Sequence, residues 1–271
     1  MISQGLPASR NSSNILLSAA AHRPDFYSPF RQLAPTLVRA LTTIYSDSSR
    51  LKTNIGLLNA VCFRGLFYGS QWAQLNLRWI DSLEDWTTYF SSFSRIPHGA
   101  NKERYFISVN PYGTPNSRRS TQWVADNFRL MEDLEAEDED WTSFLSTFEE
   151  SQNYQDLFLY LKRFKGIGQL TALLLIGDLV AAGVIPEPGI QDWCQLISSV
   201  SKGAVAGLKK LSLLPPGPLS TSDGNKRVYE TFSGLHSAIT GQWDAAKQTQ
   251  VGYNIIMLEH ALCKYSRMVK Y

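Results

Sequence analysis

Apolar side chains recur every three to four residues along most of this chain, a spacing that predicts helices. Residues 33–45 place Leu37, Leu41 and Ile44 on one face, with Pro35 at the start. Residues 54–67 are apolar almost all round, the pattern of a helix buried on every side. Helix returns over 122–134. Residues 154–164 carry Leu157, Leu161 and Phe164 into a glycine turn, and residues 170–179 leave it as an apolar helix, so 154–180 reads as a helix-hairpin-helix. The last two helices are expected over 225–239 and 250–270, the second with a stripe of Val251, Ile255, Leu258, Leu262, Tyr265 and Val269. The fold class expected is therefore all-α.

The pattern lapses in three places. Residues 1–28 are rich in Ser, Asn and Pro and read as a loosely held segment ahead of one helical domain, 29–271. Residues 94–121 hold Pro97, Gly99, Pro111, Gly113 and Pro115. Within them 104–109 has enough aromatic and β-branched character to suggest a short strand or hairpin. Residues 215–224 read as a linker. Two stretches, 82–93 and 139–148, share an acidic start and aromatics at helical spacing. They read as similarly capped packing helices, because acidic residues suit the positive end of a helix.

Composition narrows the function classes. The chain has 271 residues, 44% hydrophobic and 18% charged, enough for a substantial core and unlike a disordered segment. A net charge of +2 and a pI near 8.4 supply no general attraction to nucleic acid, so any basic surface has to be local. Cys62, Cys194 and Cys263 are far apart and odd in number, which disfavours a disulfide framework or a structural zinc site. The run Ile15-Leu16-Leu17 is too short for a signal core, and no stretch reads as a membrane span. The expected setting is intracellular, nuclear in a eukaryote, and not secreted. Neither a phosphate-binding GxxxxGK[ST] nor a dinucleotide GxGxxG occurs, and no cofactor or metal is called for. The acidic run over 132–140 reads as solvated.

Four features carry candidate chemistry. Gly166 and Gly168 would let the backbone approach a ligand, while the helix that follows presents unpaired amides suited to a phosphate. Lys162, Arg163 and Lys165 add positive charge on the approach. The alternative is a plain helical turn closed by glycine. A second turn, Lys202-Gly203-Ala204 leading to Lys209, is another candidate phosphate contact. Arg64 lies within an otherwise apolar helix, where it implies either a buried ion pair or a guanidinium aimed at an anion in a cleft. Finally His260, Lys264 and Arg267 lie at i, i+4 and i+7, opposite the last apolar stripe, facing either water or a site.

These pieces, in order, resemble one family. Asn59-Ala60-Val61-Cys62-Phe63-Arg64-Gly65-Leu66-Phe67 is similar to its Asn-x-x-x-Phe-Arg-x-Phe element, with Phe67 one place late. Lys165-Gly166-Ile167-Gly168 with Ala172, Asp178 and Leu179 is similar to its Gly-Ile-Gly helix pair. Lys202-Gly203-Ala204 with Gly207-Leu208 resembles its Gly-Pro-Gly-Ala-x-x-Gly-Leu turn, Ser201-Lys202 standing for Gly-Pro. Glu259-His260-Ala261-Leu262-Cys263 resembles its Glu-His-x-Leu-Cys signature, although Lys264-Tyr265-Ser266-Arg267-Met268 departs from what usually follows. The family is that of the alpha-glutamyl/putrescinyl thymine pyrophosphorylases, the helical domain also found attached to 5-hydroxymethyluracil DNA kinases.

The resemblance implies a glycosylase-like helical fold acting on a modified thymine in DNA. There the pyrophosphate of 5-pyrophosphoryloxymethyl-uracil is replaced by an amine or amino acid. DNA and the small donor would be the partners, with no membrane. It implies that Lys165, Gly166 and Gly168, with Gly203 and Lys209, face the DNA backbone. Arg64, Asn59 and Lys202 would serve the substrate, and His260, Glu259 and Asp178 proton transfer or amine binding. Asp192 stands about where hairpin-type glycosylases keep a catalytic Asp, so a glycosylase is one rival reading. A non-catalytic DNA-binding protein is the other.

Overall fold

The computed structural model describes residues 34–93, 103–108, 118–217 and 221–268. The expectation of a loosely held segment over 1–28 lies outside the described residues. Among those described, every regular element is a helix and no strand occurs. In chain order these are α1 (Pro35–Leu41), α2 (Ser48–Leu51), α3 (Asn54–Cys62) running into a π-helical turn (Phe63–Phe67), α4 (Gln71–Leu75), α5 (Leu83–Phe93) and α6 (Glu103–Phe106). Then come α7 (Gln122–Ala136), α8 (Trp141–Ser151), α9 (Tyr154–Leu161), α10 (Gln169–Ala181), α11 (Ile190–Val200), α12 (Ala204–Lys210), α13 (Thr221–Gln242), α14 (Ala245–Val251) and α15 (Ile255–Met268). None of the described helices is long and apolar enough to cross a membrane.

Local chemistry starts many of these helices. The side chains of Asp47, Thr53, Ser70, Asp140, Asn153 and Asp244 each accept a hydrogen bond from a first-turn amide, satisfying donors the helix cannot. The look-alike helices α5 and α8 both start this way, since Ser82 Oγ accepts from the Asp85 amide at 3.0 Å.

Packing is organised around α10, buried from Thr171 through Leu179 and held between α9, α11 and the π turn. At the other end, α12 crosses α15 so closely that a Cβ at Gly207 would collide with the Leu262 carbonyl. Within the same core, an aromatic cluster of Trp72, Trp86, Tyr89, Phe93 and Phe106 joins α4, α5 and α6 and meets Phe67 of the π turn.

Four expectations are corrected. The strand expected within 104–109 is helical at Glu103–Phe106. Tyr105 stacks on Phe93 at 5.0 Å and Phe106 meets Trp86 at 5.2 Å, so both aromatics point into one cluster instead of alternating across a sheet. The helix expected over 54–67 is α-helical only to Cys62. The linker expected over 215–224 gives way to α13 at Thr221. The helix expected over 250–270 is broken at Gly252, whose φ of 60° ends α14. α15 restarts with the Asn254 side chain accepting from the Met257 amide at 2.8 Å.

Candidate functional site

Arg64 sits in the π turn that ends α3, and the extra residue in such a turn reorients side chains relative to an unbroken α-helix. It is 2% exposed. Its Nε donates to Asp178 Oδ2 at 2.6 Å and its Nη2 to Asp178 Oδ1 at 2.5 Å. The Tyr45 hydroxyl donates to Oδ2 of the same carboxylate at 3.0 Å. The guanidinium carbon lies 4.3 Å from the centre of the Tyr68 ring. Asp178, on α10, therefore orients Arg64 and accepts three hydrogen bonds, two from Arg64 and one from Tyr45. It stands as a positioning group here, and no geometry marks it as a proton carrier.

Arg64 also lines a pocket, together with Leu37 from α1, Tyr68, Leu174 from α10, and His260, Cys263, Lys264 and Arg267 from α15. Its cavity volume is about 20 Å³, the space open to the centre of a water-sized sphere. The lining mixes apolar groups (Leu37, Leu174 and the Tyr68 ring) with cationic side chains. A water-facing outcome for the polar edge of α15 is thereby excluded. His260 is 6% exposed and Lys264 4%, and both line the pocket with Leu37 of α1 and Leu174 of α10. Arg267, half-buried, donates from Nη2 to Cys263 Sγ at 3.6 Å. Burial pushes the Cys263 thiol up from its ordinary range, with Arg267 and Lys264 pulling the other way.

The second glycine turn packs against the same helix. A Cβ at Gly203 would lie 3.2 Å from Cys263 Sγ and 3.7 Å from Glu259 Oε1, a tight approach at a φ of 61° that favours glycine. Glu259 is 1% exposed. Lys202, next to that contact, is exposed. Lys209 is engaged elsewhere, donating from Nζ to the Gly217 carbonyl, and Lys210 caps α15 through the Ser266 carbonyl at 2.6 Å.

The hairpin turn lies on the other side of the π turn. A Cβ at Gly65 would sit 3.3 Å from the Gly166 carbonyl carbon. Gly166 has φ of 89°, which favours glycine, and its Cα faces the Trp123 ring. Asn127 of α7 grips Lys165 twice, accepting from its amide at 2.7 Å and donating to its carbonyl at 3.1 Å. Gly168 begins α10 in the open, with no atom within 4 Å of a Cβ placed there, and the Lys165 side chain is exposed beside it. The sequence does not single out Trp123 or Asn127, which the fold sets against the hairpin. Nothing local distinguishes them from ordinary residues of an amphipathic helix.

Of the residues expected to serve catalysis or the substrate, Arg64 and His260 line the pocket, whereas Asp178, Glu259, Lys202, Asn59 and Asp192 do not. Asn59 bridges backbones, donating from Nδ2 to the Ile55 and Ile80 carbonyls at 2.9 and 2.8 Å and accepting from the Ile80 amide at 2.9 Å. It braces the 80s segment against α3. Asp192 is exposed in the first turn of α11, where a carboxylate suits the helix dipole. The structure thus brings together Arg64, Asp178 and His260, with Glu259 and Gly203 adjoining. Asn59, Asp192 and Lys209 stand apart.

The class this defines is an all-helical protein with a buried, cation-lined pocket near a glycine hairpin. No family model, curated protein or solved structure was found to match the chain.

Proposed function

We propose that this chain is a DNA-base transferase of the alpha-glutamyl/putrescinyl thymine pyrophosphorylase type. It would grip DNA at the hairpin and exchange the pyrophosphate of 5-pyrophosphoryloxymethyl-uracil for an amine or amino acid. The observation that supports this reading best is convergence. The four motif pieces stand far apart in sequence. Arg64 of the first grips Asp178 of the second, Gly203 of the third abuts Cys263 of the fourth, and Arg64 and His260 line one pocket. Unrelated chance matches have no physical reason to meet in this way.

The chemistry asks for what this region offers. A nitrogen–carbon bond forms at the 5-methylene, the carbon–oxygen bond to pyrophosphate breaks, and the amine proton passes to a base. His260, in the pocket lining, is a group of the right kind, with Glu259 one residue before it. Cations at Arg64, Lys264 and Arg267 suit the charge that gathers on the departing oxygen. Reaching the base requires its extrusion from the duplex, and the open start of α10 with Lys165 offers a backbone contact to hold the strand meanwhile. A glycosylase would need a free carboxylate at the flipped sugar. Asp178 is locked by Arg64 and Asp192 is outside the pocket, which favours the transferase.

The test is mass spectrometry of nucleosides from DNA carrying the pyrophosphorylated base, after incubation with the protein and a mixture of amines and amino acids. The expected product is a thymidine bearing the donor on its methyl carbon. Free base would establish the glycosylase instead. Unchanged nucleosides with tight DNA binding would leave a binding protein.

A further inference from the structure

The connection between α9 and α10, residues 162–168, has no helix of its own to hold it. Its backbone is tied locally near the tip. The Arg163 amide donates to the Tyr160 carbonyl at 3.1 Å, Phe164 to Leu161 at 3.3 Å and Ile167 to Phe164 at 3.2 Å. Lys165 stands between these bonds, and both of its peptide groups go to Asn127 of α7. Asn127 Oδ1 accepts from the Lys165 amide at 2.7 Å, and Nδ2 donates to the Lys165 carbonyl at 3.1 Å. Asn127 is 1% exposed, so water competes little for this pair of bonds.

Trp123 lies one helical turn earlier on the same face of α7. A Cβ at Gly166 would lie 3.0 Å from Trp123 Cε3 and 3.2 Å from the Gly65 carbonyl oxygen. Gly166 is thus held between α7 and the π turn. Beside it, Gly168 and the Lys165 side chain remain exposed. The turn therefore offers a ligand the open start of α10 and the Lys165 ammonium, while the Lys165 peptide is already spent. A turn ordered beforehand binds without the entropy cost of ordering it.

We propose that Asn127 is a positioning residue for DNA binding. Buried behind the turn, it touches no phosphate itself and sets the hairpin backbone in the conformation that receives one. This role rests on the reading in which the hairpin grips DNA. It leaves Lys165 one route to the strand, its side chain.

The experiment combines amide hydrogen exchange by NMR with anisotropy titration of the full chain against a fluorescein-labelled duplex. In the wild-type chain the Lys165 amide is expected to exchange at least about tenfold more slowly than in an unstructured peptide. Asn127→Ala should abolish that protection, leave the Leu175 and Ile176 amides protected, and weaken DNA affinity about tenfold, because binding must then order the turn. Phe232→Leu is the control, a buried change on α13, which packs against α11 and α12. It should lower the unfolding midpoint yet leave DNA affinity unchanged well below that midpoint, which separates positioning from general loss of stability. An unprotected Lys165 amide in the wild-type chain would overturn the proposal whether or not the variant folds. So would unchanged affinity in folded Asn127→Ala, or an equal loss in Phe232→Leu. A wild-type chain that binds no DNA would overturn the transferase reading and this role with it, a result distinct from a DNA-binding chain indifferent to Asn127.

Discussion

The Arg64 guanidinium grips the Asp178 carboxylate through two hydrogen bonds, at 2.6 and 2.5 Å, across 114 residues of sequence. The two residues are 2% and 0% exposed. Two charges removed from water this completely are held by each other, by the Tyr45 hydroxyl and by the Tyr68 ring.

Removing either partner strands the other. Arg64→Met or Asp178→Leu alone should each cost about 3–5 kcal/mol in denaturant unfolding. The double variant should cost clearly less than the sum of the two, because no buried charge is left over. Additive losses would mean that the ion pair is not the reason for either cost.

The hairpin prediction separates DNA binding from folding. Gly168 has open space around it and an ordinary backbone conformation, so Gly168→Glu should leave the unfolding midpoint nearly unchanged. It places a negative charge at the start of α10, and DNA affinity measured by anisotropy should drop. Affinity in the unaltered chain should also fall as salt is added. Binding indifferent to both salt and the substitution would leave the hairpin a purely structural turn.

The thiols report burial through pH. Burial pushes Cys62 and Cys194 up to about 12 and raises Cys263 as well. None of the three should react readily with a disulfide reagent at pH 8 in the folded protein, and all should react in denaturant. Because the folded values lie above the unfolded ones, their contribution to stability is complete below about pH 9. It is lost as pH rises from there towards about 12. Rapid labelling of the native chain would contradict the packing around them.

The last helix separates core from chemistry. Leu258→Ala and Leu262→Ala remove buried volume and should each cost about 2–5 kcal/mol. His260→Gln keeps most of the volume and should leave folding and DNA binding intact while lowering turnover about 10²–10⁴-fold. Raising the pH should recover part of that loss, since the amine then arrives deprotonated. Unchanged turnover would remove His260 from the mechanism.

The chain's own sequence determined what depends on neighbours along it. Helical class followed from apolar period, and the Gly166 turn from a residue with no Cβ. Caps such as Thr53 and Asp140 act within a single helical turn. Short-range reasoning failed where short-range signals were equivocal, as at Tyr105 and Phe106, whose direction is set by the aromatic cluster on α4 and α5.

Only the tertiary structure decided the site. His260, Lys264 and Arg267 have the same spacing whether that edge of α15 meets water or protein; in the fold all three line a pocket with Leu37 of α1 and Leu174 of α10. Arg64 fits either a cleft cation or an ion-pair partner from its local context. The fold makes it both, because the π turn directs it at Asp178 and leaves it in the pocket lining. Asn127 and Trp123 take their places against the hairpin in the same way. Such relationships join side chains that share no local pattern, so they exist only once the helices have packed.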